Sequence, residues 1–369
     1  MGRSQRIELY KQIEEHRKRP LIVYVTSKRS GIVAYMATDA LPYIIEQIDN
    51  LPKASKSVDF LIASYGGDPM VAWRILTLIR QRLGEEGNVA VLIPHSAYSA
   101  ATLVALGANH IVMHPNGHLG PVDMQITTVS ESGPKRFSTE DISAFLDFVR
   151  ENLRITDQEH VRMLFELTVK EVGSLGIGFT ARTSRLAVDL GERLLAMHMK
   201  DDEARTKLHS IVENMSRKFQ SHAYPVSRTE ALELGLPVEN RDEALEELIW
   251  KAWLDIEEEL QENTPFDTLI ELMNSPEAKK LLSPVPQLEI PMGLSGTLTY
   301  QTALADLIKA AKVTIDPVDF QFTNAIVESS RLAYLQMTKG KILACRTPDM
   351  VIRRNAVTTS RAWEKVVTS

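Results

Sequence analysis

The 369-residue chain contains a single cysteine, Cys345. An intrachain disulfide is therefore excluded, and a reducing cytoplasm is the expected setting. Aromatic residues are scarce, at 6%. No apolar run approaches the ~20 residues that a bilayer-spanning helix requires, so no membrane span is expected. The segment Gly2–Arg6 has no apolar signal core, which makes export an unexpected fate. There is neither a phosphate-cradling P-loop nor a dinucleotide-type glycine pattern, so the chain is not expected to hydrolyse ATP itself or to carry a cofactor. A net charge of −6 leaves no basic excess for nucleic acid. His110, His114 and His118 stand four apart, with His95 upstream. They fall on a strand that runs into a Pro-Asn-Gly turn, which separates them, and no metal site is expected.

What is present is an ordinary globular composition, 44% hydrophobic and 24% charged, with alternating strand and helix signals. Leu21–Val25, Asp59–Ala63, Val89–Ile93 and Ala108–Met113 are short apolar runs that read as buried strands. Asp39–Ile48 and Asp68–Leu83 read as helices opened by an aspartate cap, the second with Pro69 where a missing N–H costs nothing. This alternation predicts an α/β fold with a mostly parallel sheet. The second strand ends in Ser64-Tyr65-Gly66-Gly67-Asp68. Two adjacent glycines let the backbone come close to a ligand, since no Cβ shields the peptide N–H groups. The third strand leads into Ala97-Tyr98-Ser99-Ala100-Ala101-Thr102 and an Ala-rich helix, and the fourth into Leu119-Gly120-Pro121-Val122-Asp123. A hydroxyl at a helix N-terminus beside a Gly-Gly turn brings a nucleophile and oxyanion donors together, as acyl transfer requires.

In order and content these three motifs resemble the ClpP/crotonase superfamily. Within it the chain is most similar to the serine dehydrogenase proteinase family, which is related to signal peptide peptidase A and the NfeD-type proteases. The resemblance spans about Leu21 to Glu239, including the patch from Ser221 to Val238. It implies a ClpP/crotonase-like spiral core, a cytosolic serine peptidase with peptide or protein substrates, and a homo-oligomer, trimeric or a multiple of three. Carried onto this sequence, it makes Ser99 the nucleophile, with Ser96 as competitor. The oxyanion hole falls to the backbone N–H groups of Gly67 and Ala100, and Gly66 and Tyr98 line the pocket.

The base is harder to place. ClpP-type enzymes have their histidine where this chain has Asp123, and their acid in the loop where it has His222. A triad with exchanged places follows, with His222 as base and Asp123 orienting it; a packing histidine and a turn aspartate are the alternatives. The related peptidases use a lysine on a helix beyond the third motif, but the matching position is Arg150, which cannot lose its proton. Lys135, in a Gly-Pro loop, is the alternative base.

The organisation expected is an N-terminal helical arm over 1–20, a protease domain with a helical excursion over 21–273, a Pro/Ser-rich linker over 274–291, and a C-terminal appendage over 292–369. The appendage has no assigned role; binding an ATPase or other protein partner is one candidate. A catalytically silent scaffold and a crotonase-like acyl-CoA enzyme are the competing readings.

Overall fold

The four apolar runs form the parallel half of an eight-stranded mixed sheet, whose other half is antiparallel. The structure, a computed structural model, describes residues 2–84, 86–122, 126–130, 133–219, 221–284 and 298–366. Strand β1 is Leu21–Thr26, β2 Ser57–Ala63 and β3 Asn88–Ile93; the two-residue β4 (Ser96–Ala97) precedes β5 (His110–Met113). In register, Val23 lies beside Leu61, Phe60 beside Val91, and Leu92 beside Val112.

These strands read as unbroken apolar runs because both faces of the sheet are covered. Alternate side chains go to opposite sides. Tyr24, Phe60, Ile62, Val91 and Ile93 join one core cluster, while Val23, Val25, Leu61, Ala90 and Leu92 join the other. The first face is covered by α2 (Leu41–Asp49), α3 (Pro69–Leu83) and α4 (Ala100–Leu106), which bury Ile44, Ile75 and Val104. The second is covered by α1 (Arg3–Arg17) through Tyr10 and Ile13.

Beyond β6 (His118–Leu119), strands β7 (Ile126–Ser130) and β8 (Gly133–Phe137) pair antiparallel. Lys135 therefore stands on a strand opposite Thr128, not in the loop expected from its Gly-Pro neighbours. Helices α5 (Thr139–Asp147), α6 (Gln158–Val172), α7 (Ser174–Leu195) and α8 (Asp202–Glu213) make the helical excursion. Around the end of α5 Val149 is buried, whereas Phe145, Phe148 and Leu153 are exposed. After the short α9 (Arg228–Glu233), helix α10 (Glu243–Glu259) returns to the core and buries Ile249, Trp253 and Ile256 beside α1.

The segment past residue 292 shares the sheet with this core. Strand β9 (Val313–Thr314) pairs β11 (Ala333–Arg346), while β10 (Val318–Glu328) joins β1 antiparallel and β12 (Ile352–Lys365) closes the far edge. The junction is locked by charge. Arg6 of α1 is buried among Glu328 of β10 (2.6 Å), Glu259 (2.5 Å) and Asp255 of α10, and Tyr10 donates to Glu328 at 2.6 Å. Removing one partner of such a buried pair typically costs about 3–5 kcal/mol.

His198, just after α7, donates from Nε2 to the Leu106 carbonyl at 2.9 Å, and burial pushes its imidazole down to about 4. An unfolded histidine titrates near 6.5 (roughly). Between these values the unfolded chain binds more protons, so stability is complete above the higher pH and is lost as pH falls toward the lower. Urea midpoints at pH 7 and pH 5 should differ in the wild type, and His198→Gln should narrow that difference. An unchanged difference would show that this side chain does not set the acid response.

Candidate active site

A second row of short pairings runs past the C-terminal ends of the parallel strands. It links Met36 to Gly67, Ser64 to Ala97, Ala97 to Leu119, and Leu119 to Val226. Ser64, just beyond β2, anchors the row. Its N–H donates to Ser96 O (2.8 Å), its carbonyl accepts from Tyr98 N–H (3.0 Å), and its Oγ accepts from Gly66 N–H (3.0 Å). The Gly66 carbonyl accepts from Met36 N–H at 2.8 Å, and Asp68 N–H donates to Met36 O at 2.9 Å. A trans peptide that turns the Gly66 C=O toward Met36 turns the Gly67 N–H the opposite way. Among the described residues that N–H has no protein acceptor.

Both positions demand glycine. Gly66 has φ +95° and Gly67 φ +153°. A Cβ on Gly67 would lie 2.2 Å from Met36 O; one on Gly66 would lie 2.7 Å from Tyr98 O, 2.8 Å from Ser99 Cβ and 3.0 Å from Ala100 N. The Gly-Gly turn is thus pressed directly against the segment 98–100.

Ser99 occupies the N-cap position of α4 with φ 52° and ψ −116°, and its side chain makes no capping bond. A non-glycine residue in that region is strained by on the order of 1–3 kcal/mol, and such strain gathers at functional sites. A sharp strand-to-helix turn of this kind lifts a hydroxyl out of the cap and exposes it. Ser99 is half-buried, whereas the residues after it, Ala100, Ala101 and Thr102, are fully enclosed. Ala100 N–H, the first of the helix, has no acceptor among the described residues. Ser96 is completely buried, so no substrate reaches it. Thr102 ties the segment down, its single O–H within reach of both Ala97 O (2.7 Å) and Gly120 O (2.8 Å). Tyr98 lies against Gly120, where any Cβ would strike its ring at 1.7 Å.

Beside this elbow is a cavity of about 500 Å³ whose walls include Tyr65, Tyr98, Lys28 and His222. The Tyr65 and Tyr98 rings meet edge to face at 5.5 Å. Lys28 Nζ donates to His95 Nδ1 at 2.9 Å, sits 4.3 Å from the centre of the Trp253 ring, and is 3.9 Å from Glu262. Burial lowers the Lys28 amine, against the pull of Glu262 and Glu257. Burial, with Lys28 and His118 adding to it, pushes His95 down to about 4, so that ring is neutral near pH 7 and accepts from the lysine. His95 stacks on Trp253 at 5.2 Å.

The ClpP-like SDH-type serine proteinases match this chain over residues 3–134, a span that holds the Gly-Gly turn and the Ser99 elbow. Two uncharacterised proteins of Methanocaldococcus jannaschii are 23% and 21% identical to it over 240 residues, covering 63% of this chain and 73% and 71% of theirs. Among solved structures, ClpP1 from Listeria monocytogenes is 14% identical with a TM-score of 0.32, covering 64% of this chain and 97% of that one. The 1510-N membrane-bound stomatin-specific protease is 15% identical with a TM-score of 0.34, over 61% and 82%. At those scores neither bears on the site. No helix among the described residues is long and apolar enough to cross a membrane.

The structure brings Gly66, Gly67, Tyr98, Ser99 and Ala100 together and puts His222 on the neighbouring cavity. His222 lies in the turn before Val226, whose N–H donates to Leu119 O at 2.8 Å. Asp123 lies outside the described residues. His110 and His114 are elsewhere, the first 3.7 Å from Glu239 and the second stacked on Trp250 at 4.6 Å. Sequence reasoning missed Lys28, Tyr65 and His95 as a group. Their common signal is position, since each stands just past the C-terminal end of a parallel strand (Thr26, Ala63 and Ile93), where open α/β sheets bind ligands.

Proposed function

We propose that this protein is a serine peptidase that cleaves peptide bonds through an acyl-enzyme on Ser99. One observation carries the reading: a strained, half-buried serine has a glycine backbone packed against its Cβ, and the main-chain N–H groups of Gly67 and Ala100 in the adjoining turns have no acceptor among the described residues. In this reading the Ser99 hydroxyl adds to the scissile carbonyl as its proton passes to a base. The carbonyl oxygen, now negative, is received by the Gly67 and Ala100 N–H groups. Collapse expels the amine, which takes the proton back from the base, and water then hydrolyses the ester by the same steps.

His222 is the base we favour, because it borders the cavity that Tyr98 walls; Asp123 would orient it. Lys135 is the alternative. With His222→Ala, turnover should fall by about 10²–10⁴, the usual contribution of a general base. Full activity in that variant would return the role to the lysine.

A fluorophosphonate probe tests the reading as a whole. It should label the wild type and leave Ser99→Ala unlabelled; equal labelling of both would refute it. We further propose a homo-oligomer. Phe148, Leu153, Leu167 and Leu175 of the excursion are 51–88% exposed in the single chain and suit burial against other copies. Sedimentation of the wild type should show a species larger than one 41.4 kDa chain.

A further inference from the structure

We infer that the cavity beside Ser99 is a subsite for a carboxylate-bearing side chain of the peptide, with Lys28 as the residue that selects it. This rests on the peptidase reading and adds a substrate preference to it. The rim is built by Tyr65 and Tyr98, the residues immediately before Gly66 and Ser99. The space thus adjoins a peptide whose carbonyl is held at Ser99, and a neighbouring side chain can enter it.

What that side chain meets is a lysine with unused hydrogen-bonding capacity. The Lys28 side chain is 6% exposed and carries three N–H donors. One goes to His95 Nδ1 at 2.9 Å. Glu262 at 3.9 Å is near enough to balance charge but beyond hydrogen-bond reach. Among the described residues no acceptor takes the other two donors. The Trp253 face at 4.3 Å supports the cation without accepting a conventional hydrogen bond. His95, neutral near pH 7, adds no competing charge.

An entering carboxylate fills those donors with charge-assisted bonds, which are stronger than neutral ones. A neutral amide of the same shape fills them less well. Ile32 and Val33 also line the cavity and give apolar cover to a methylene stem, which glutamate has in greater length than aspartate.

The experiment compares kcat/KM for fluorogenic peptides, C-terminally amidated so that no terminal carboxylate competes, carrying Glu or Gln beside the scissile bond. We expect wild type to favour Glu at least tenfold. The Glu-to-Gln ratio should fall to near one in Lys28→Met and persist in Lys28→Arg; if Lys28→Met does not fold, Lys28→Gln reads the same ratio. A wild-type ratio near one, or a ratio unchanged by removing the lysine charge, overturns the inference. Fluorophosphonate labelling of wild-type Ser99 decides the peptidase reading separately. Labelling without a Glu preference rejects this subsite alone, and no labelling rejects the peptidase reading beneath it.

Discussion

Gly66→Ala should abolish peptidase activity and lower stability, and a matched control can separate the two effects. The new Cβ would stand 2.7 Å from Tyr98 O, 2.8 Å from Ser99 Cβ and 3.0 Å from Ala100 N. All three belong to the elbow, and two are backbone atoms that cannot swing aside as a side-chain tip can. The turn or the elbow must move, separating the nucleophile from the proposed oxyanion donors. Loss of one such donor alone costs about 10²–10³ in rate, and misplacing nucleophile and donors together should cost more. The φ of +95° adds backbone strain of its own. Gly84→Ala is the control. That residue has φ +84° but nothing within 4 Å of its would-be Cβ. It should lose about 1–3 kcal/mol of stability to strain and keep its turnover. Equal activity in the two variants would mean that contact between turn and elbow does not matter.

The second large effect belongs to Ser99 itself. Ser99→Ala should lower kcat by roughly 10⁶, the usual cost of deleting a serine peptidase nucleophile, with little change in folding because the backbone keeps its φ. Ser99→Gly should be equally inactive yet behave differently on denaturation. Removing Cβ relieves strain of about 1–3 kcal/mol, offset by roughly 0.5–1 kcal/mol of added unfolded-chain freedom. Ser99→Gly should therefore unfold at a higher denaturant concentration than Ser99→Ala. The reverse order would show that φ 52° is not a strained state here.

The parallel half of the sheet was legible because burial on both faces leaves a continuous apolar run. Leu21–Val25 and Val89–Ile93 were readable to within a residue of their strand ends. The antiparallel half was not. β11 buries polar Gln336 and Thr338 on the same face as Ile342 and Ala344, so no apolar alternation marks it, and β12 is exposed along most of its length, as an edge strand can be. Nothing local announces that Val23 pairs with Glu328 across the length of the chain.

The same division holds at the site. Gly66, Gly67 and Ser99 were legible because each is required by its own short segment, a turn needing positive φ or a hydroxyl opening a helix. Lys28, His95 and Trp253 meet only after β1, β3 and α10 converge, so no window of sequence contains the cluster. The α10 tryptophan, apolar in any helical reading, becomes a platform for a cation only in three dimensions.

The most direct test of the account is capture of the covalent intermediate. Wild-type protein is mixed with an activated ester, quenched in acid within the first turnover, and examined by intact mass and peptide mapping. The account predicts one acyl group on the peptide containing Ser99, absent from Ser99→Ala. No adduct, or one fixed on another residue such as Cys345, would contradict it.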